Sequence, residues 1–283
     1  MRLFKYLHPD RLDVLRNLEI RFSSPLNLND PFELKPCIQG LATPERMNSE
    51  LEAAFPKAFE EQWAKLPRKL ARQVSKNAMR KVLFRQMPLL QANINRQAGK
   101  LTPLIRETMD SVFASKVGVL CLSESPDSLL MWAHYADSHR GFVIELDSES
   151  EFFQAQKSAD DELRHLRKVQ YKMDRPSMAL VDIKDFAPFL TKGAEWEYER
   201  EWRMTSTLDA ATRVIGVGAE AVHLFKFPES AVKSLILGAR ISDSNHAAVV
   251  ECMANNPILR HVKVLRAEVD AEKYRLNLKA IEV

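Results

Sequence analysis

The stretch A-E-W-E-Y-E-R-E-W-R, residues 194–203, places carboxylates at Glu195, Glu197, Glu199 and Glu201, ends them at Arg203, and interleaves Trp196, Tyr198, Arg200 and Trp202. Read as a strand, its period of two puts Glu197, Glu199, Glu201 and Arg203 on one face, about 6.5 to 7 Å apart. Like charges at that spacing repel, and a purely structural strand gains nothing from them. In a cleft, desolvation raises at least one of their pKa values, which suits a general base or an acid that holds a hydroxyl. The other reading is the solvent side of an edge strand, where charge blocks aggregation. Trp196, Tyr198 and Trp202 read as buried in either case.

On both sides of this stretch, short strands mix with helices. R-L-F-K-Y-L (2–7) is a partly alternating strand, and Pro9 after His8 opens a helical segment with Leu12 and Leu15 on one face. Residues 18–24 alternate again, and P-L-N-L-N-D-P-F-E (25–33) is a turn-forming loop. Residues 117–123, 142–146, 169–171, 232–237, 262–267 and the surroundings of Leu224 read as further strands. Ser125 and Pro126 open a helix through Tyr135, with Gly141 beyond its end. Residues 182–190 and 243–254 also read as helices. This order lacks regular βαβ spacing and predicts an α+β fold with a mixed, mostly antiparallel sheet. A chain of 283 residues can bury a sizeable core, and the reading is one α+β domain over 1–283.

Residues 44–115 differ in character and read as a helical insertion within that domain. Thr43 and Pro44 mark its start as N-cap and first helical residue. Pro56, Pro67, Pro88 and Pro103 divide the rest into helices. From Lys65 to Arg106 there are eleven Lys or Arg and no Asp or Glu. Lys65, Lys69, Arg72, Lys76 and Arg80 recur at helical spacing as one basic stripe, opposite an apolar face of Leu70, Val74, Ala78 and Val82. Ordinary solvated faces mix signs, so the stripe points to a polyanion such as nucleic acid or a phosphate-rich ligand. The alternative is a solvated helix face.

With 46% hydrophobic and 28% charged residues, the composition is that of an ordinary globular chain. No apolar run approaches the roughly 20 residues of a membrane span, and the N-terminus lacks a secretory pattern. Cys37, Cys121 and Cys252 are isolated and lack metal-ligand spacing, so they read as small core residues of a reduced, cytoplasmic protein. No glycine-rich phosphate loop, H-E-x-x-H or G-x-S-x-G occurs, so any nucleotide must be held by side chains.

Two further constellations carry polar chemistry. In M-W-A-H-Y-A-D-S-H-R-G (131–141), Trp132, Tyr135 and His139 share one side of a helix and its exit. Such a row either stacks on a planar ring or packs in the core. His134 and His139, with Asp137 as the only nearby carboxylate, do not make a zinc site. In I-R-F-S-S-P-L-N-L-N-D-P-F-E (20–33), Arg21 and Ser23 lie on a polar strand face, and Asn29 and Asp30 suit either a turn or a sugar hydroxyl.

Taken in order, N-D-P-F-E, M-W-x-H-Y-A-x-x-H-x-G and W-x-Y-E-x-E-W-R resemble a widespread bacterial family of uncharacterised proteins, over nearly the whole chain outside the basic insertion. More distantly, the order of elements and the late E-x-E resemble the ADP-ribosyltransferase superfamily. That resemblance implies a split sheet with NAD lying across it as substrate. It makes Glu201 the glutamate that holds the ribose and stabilises the cation formed as the glycosidic bond breaks. Glu199 becomes the residue that activates the acceptor. Ser123 and Ser125 take the place of the central Ser-x-Ser, and Trp132, His134, Tyr135 and His139 lie about the ring. Lys5 and Tyr6 stand where the first strand usually carries Arg or His, and Arg21, gripping phosphate, is the substitute. Ser23, Asn29 and Asp30 complete the nucleotide contacts.

Three readings follow from these residues. The first is an NAD-dependent ADP-ribosyltransferase-like enzyme, a toxin or defence effector acting on nucleic acid or protein, with room for a regulatory protein partner. The second is a metal-dependent nuclease or phosphodiesterase with Mg²⁺ on the Glu197, Glu199 and Glu201 face. The third is a non-catalytic nucleic-acid or nucleotide-binding module.

Overall fold

The computed structural model describes residues 1–282. In chain order its strands and helices are β1 (Arg2–Leu7), α1 (Asp13–Asn17), β2 (Glu19–Phe22), β3 (Cys37–Gly40), α2 (Pro44–Ala64), α3 (Arg68–Ala71), α4 (Lys76–Arg85), α5 (Met87–Lys116), β4 (Val117–Ser123) and α6 (Leu129–Tyr135). There follow β5 (Phe142–Asp147), β6 (Leu166–Lys168), β7 (Gln170–Lys172), β8 (Ser177–Ala179), β9 (Thr191–Gly193), β10 (Glu201–Thr207), β11 (Arg213–Ile215), β12 (Val222–Lys226), β13 (Val232–Leu237), α7 (Asp243–Ala254), β14 (Lys263–Val269) and β15 (Leu276–Ala280). The fold is α+β, as the sequence predicts.

The chain divides into two compact units. The first comprises Met1–Lys35, Ser111–Arg175 and Asp185 onward. It is built on an eight-stranded open sheet in the order β15-β14-β13-β5-β1-β4-β10-β6. Only β13 and β14 run parallel; the other neighbours are antiparallel. β1 pairs with β5 along its full length, from Arg2↔Asp147 to Leu7↔Phe142. On its other side it meets β4 at one residue pair, Phe4↔Ser123. β4 pairs in turn with β10 over seven residues, from Glu201↔Ser123 to Thr207↔Val117. The sheet therefore opens between β1 and β4, while a bridge between Ser23 and Val119 ties the end of β2 to β4.

Alternation decides which face each strand buries. Leu3 and Leu7 of β1 join the larger core with Leu120, Leu122, Ile144, Leu146 and Leu235. Phe4 and Tyr6 join the second core, on α6, with Trp132, Val143 and Ile236. α6 starts at Leu129, later than Ser125 and Pro126 suggest, because the Ser128 side chain accepts from the Met131 amide and caps it. The chain leaves α6 through three successive left-handed residues, Asp137, Ser138 and His139, with φ of 47°, 51° and 69°. It can turn back only because Gly141 is bare: a Cβ there would lie 2.0 Å from the Leu7 carbonyl oxygen.

Several sequence expectations are corrected by the fold. Residues 182–190 form no continuous helix; short 3-10 turns cover Leu180–Asp182 and Ala187–Leu190. Residues 194–199 form a 3-10 turn instead of the start of a strand, so the alternation of β10 begins only at Glu201. Arg200, left-handed at φ 45°, makes the break. As a result Glu195 and Glu197 are exposed while Glu199 is buried, and Trp196, Tyr198 and Trp202 are half-buried. Cys252 is a core residue, whereas Cys37 and Cys121 are half-buried.

The second unit comprises Pro36–Asp110 and Pro176–Lys184. β3 and β8 pair in parallel within it. α2 begins where Thr43 and Pro44 predict, with Thr43 Oγ1 accepting from the Arg46 amide at 3.2 Å. Pro56 and Pro103 lie inside helices, so they do not divide the segment. The basic stripe is also redistributed. Lys65 and Arg72 are C-caps of α2 and α3, Lys69 lies on α3, and Lys76 and Arg80 lie on α4. Breaks at Pro67 and Ser75 separate these helices, so no single face carries all five cations. The opposing apolar face is not buried either: Leu70, Val74 and Val82 are exposed. Among the described residues, no helix is long and apolar enough to cross a membrane.

Candidate active site

A cavity of about 240 Å³ opens where β1 and β4 part. Lys5 and Tyr6 from β1, Ser23 and Asn29 from the loop after β2, and Cys121 and Ser123 from β4 line its walls. Its floor holds Glu33, Lys192, Glu199 and Glu201, and Tyr135 of α6 closes one side. β1 and β4 pair at one position only, and the Lys5 side chain also crosses between them, its ammonium donating to the Cys121 carbonyl at 2.9 Å.

The floor is a buried ionic cluster. Lys192 Nζ lies 2.6 Å from Glu199 Oε2, 3.2 Å from Glu33 Oε1 and 3.3 Å from Glu201 Oε2. Arg203 grips Glu201 with Nε at 2.8 Å and Nη2 at 2.8 Å, and the same Nη2 donates to both oxygens of Glu33 at 2.6 Å. Arg203 is fully buried, and its Nη1 has no hydrogen-bond partner. Three carboxylates therefore face two cations, and Trp196 lies 4.7 Å from Lys192 Nζ as a further electron-rich wall. Burial of ions is tolerable only with this degree of pairing.

The two glutamates of the E-x-E are pushed in opposite directions. Burial raises the pKa of Glu199, as does the charge of Glu201, against the pull of Lys192 and Tyr135. Burial would also raise Glu201, but the Arg203 fork and Lys192 outweigh it and hold the carboxyl down at about 2. Burial opposes the charge of Lys192, yet the three surrounding carboxylates raise its pKa overall. Lys5 is lowered by burial. A hydrogen-bond chain reaches Glu199 through the cavity wall: Tyr135 OH donates to its Oε1 at 2.6 Å, and Asn29 Nδ2 donates to the Tyr135 oxygen at 2.9 Å. Ser123 Oγ donates to the Glu199 carbonyl at 2.6 Å, which fixes the turn. Tyr171 OH accepts from the Glu201 amide at 2.8 Å.

Of the residues singled out from sequence, Lys5, Tyr6, Ser23, Asn29, Ser123, Tyr135, Glu199 and Glu201 meet in this cavity. Others do not. Trp132 is a fully buried core residue that donates its indole N–H to the Pro126 carbonyl, so it walls no ligand. His139 stacks on Trp132 at 6.1 Å and turns towards a separate cavity with Arg240 and Tyr274. His134 packs edge-on to Tyr135 and against Tyr198, outside the cavity lining. Ser125 donates to Asp127. Asp30 caps the Phe32 amide as a turn residue. Arg21 is absent from the lining, and its Nε is buried without a partner, so it does not reach a ligand in this cavity.

The structure adds Glu33 and Lys192. Glu33 lay in the quoted N-D-P-F-E motif but read as loop; only the tertiary fold brings it to Arg203. Lys192 carried no periodic signal at all. Glu197, Glu199 and Glu201 do not share one strand face: Glu197 is exposed on the turn, whereas Glu199 and Glu201 are buried against Lys192 and Arg203. Among the described residues no group of three or more His, Cys, Asp or Glu is placed to hold a metal.

A family model described as "Protein of unknown function (DUF2971)" matches residues 131–204. The matched stretch runs from α6 into β10 and holds Tyr135, Lys192, Glu199, Glu201 and Arg203, which is most of the cluster. No curated protein and no solved structure matches the chain.

Proposed function

We propose that this cavity is the active site of an enzyme that cleaves an N-glycosidic bond, with NAD as the glycosyl donor in the manner of ADP-ribosyltransferases. The observation that carries the reading is the opposite bias of Glu199 and Glu201 in one cavity. Paired carboxylates whose environments drive their pKa values apart divide the work of fixed anion and proton carrier. Glu201, held ionised by Arg203, is the anion that faces a ribosyl cation. Glu199, with its raised pKa and its Tyr135 hydrogen bond, takes the proton of the attacking hydroxyl.

In the step itself the bond between ribose C1′ and the nicotinamide nitrogen breaks and its electron pair leaves with the ring, which becomes neutral. The acceptor oxygen bonds to C1′ and gives its proton to Glu199. The register supports the same reading: Ser123 pairs with Glu201 of β10 and with Phe4 of β1, the residue before Lys5 and Tyr6, so the first-strand, central and late-strand positions of the resemblance lie on neighbouring strands. The cavity suits the nicotinamide ribose end. The pyrophosphate finds no arginine in the lining, and Lys5 is the cation nearest the first-strand position.

The test is release of nicotinamide from labelled NAD by the wild-type chain and by Glu199→Gln. Release that falls about 100-fold or more in the variant, the usual weight of a general base, supports the reading. No release, together with no heat of NAD binding at millimolar concentration, removes NAD from the account.

A further inference from the structure

The second unit carries a groove unrelated to the active site. Between α2 and α4, Phe55 and Pro56 on one side and Arg80, Lys81, Phe84 and Arg85 on the other enclose about 550 Å³. The ring of Phe55 meets that of Phe84 edge-on at 5.6 Å. Phe84 remains 50% exposed, so its ring is presented to whatever enters. No carboxylate lines the groove. Among the described residues of this unit, the ion pairs go to Arg46 and Lys76, and none goes to Arg80, Lys81 or Arg85.

A solvated helix would pair such cations or leave them on a face without aromatics. Here three unpaired cations surround two phenyl rings in a concavity. We infer that the groove between α2 and α4 binds single-stranded nucleic acid, with Arg80, Lys81 and Arg85 on the phosphates and a base against Phe84. Charge complementarity selects a polyanion, since the lining of the groove holds three cations, Arg80, Lys81 and Arg85, and no acid. The rings select the single strand: a duplex keeps its bases stacked inside and offers Phe84 nothing to stack on, whereas an unpaired base offers a π-face. The concave shape separates the groove from a flat membrane-binding helix face.

The experiment is fluorescence anisotropy of the full chain with a labelled single-stranded oligonucleotide, a hairpin duplex, heparin and polyglutamate, from about 50 to 200 mM salt. Single strand should bind tightest. Phe84→Ala should weaken it about 5- to 140-fold, the range for one stacked base, and leave heparin binding unchanged. The triple Arg80→Gln, Lys81→Gln and Arg85→Gln should lower the log–log salt slope by about 2, at roughly 0.7 per lost contact. All four substituted positions are exposed, and circular dichroism checks that the helices persist. Duplex or heparin binding as tight as single strand, an unaltered Phe84→Ala variant, or preference for polyglutamate would overturn the inference.

Discussion

Tyr135 donates its phenol proton to Glu199 across 2.6 Å, joining the end of α6 to a turn 64 residues later. The contact gives the Glu199 carboxylate a neutral hydrogen-bond donor in the cavity lining, beside its ion pair with Lys192. Tyr135→Phe keeps the ring and removes the donor. Because that hydrogen bond favours the ionised form, its loss raises the Glu199 pKa further. The acidic limb of the activity profile should therefore move to higher pH, and stability should fall by roughly 1.5 to 3 kcal/mol in urea unfolding. An unmoved limb would place Glu199 outside the chemistry.

Arg203 is the hub of the cluster, fully buried and bonded to both Glu33 and Glu201. Arg203→Met leaves those carboxylates facing each other with Lys192 alone. A loss of about 3 to 5 kcal/mol is expected, as for any buried pair stripped of one partner. A triple variant that also carries Glu33→Gln and Glu201→Gln should recover part of that loss. Equal instability in the single and triple variants would show that Arg203 acts by packing alone.

Acid should unfold the protein in part through Glu201. Its folded pKa, about 2, lies below its ordinary 4.5, so the unfolded chain binds more protons between these values. The stabilisation is present above about pH 4.5 and is lost as pH falls towards 2, roughly 3 kcal/mol in all. Glu199 has the opposite sign: its raised pKa means that its ionisation costs stability as pH rises through the folded value. Urea midpoints measured from pH 2 to 7 should show a steep acid limb, and Glu201→Gln should flatten it.

Gly141→Ala tests the return from α6 to β5. The added methyl would meet the Leu7 carbonyl at 2.0 Å, and backbone cannot move aside as a side chain can. A loss above roughly 2 kcal/mol in thermal or urea unfolding is expected. Wild-type stability would mean that β1 and β5 slide freely there, contrary to their six-residue register.

Much of the architecture was legible because it is local. Thr43 and Pro44 mark the start of α2 by capping chemistry, and the apolar runs of β4, β5 and β13 match buried strands. The motif residues Ser123, Tyr135, Glu199 and Glu201 were identified, and they do meet. Alternation misled at residues 195–199, where a period of two continued through a 3-10 turn. It misled because Arg200 takes a left-handed conformation that no propensity of arginine signals. The helical stripe of Lys65 to Arg80 misled in the same way: spacing assumes one helix, and the breaks before Arg68 and Lys76 rotate the faces.

By itself the sequence determined the α+β class, the central strands β1, β4 and β5, and the candidate residues Ser123, Tyr135, Glu199 and Glu201, since periodicity and turn chemistry act within a few residues. The tertiary structure alone decided that Glu33 and Lys192 join Glu199, Glu201 and Arg203. These contacts join segments up to 170 residues apart in sequence, and no local pattern encodes which distant charge will neutralise a buried one. It also decided that β1 and β4 meet only at Phe4 and Ser123, and so where the cavity lies, because the divergence of two strands is set by what packs on both faces of the sheet.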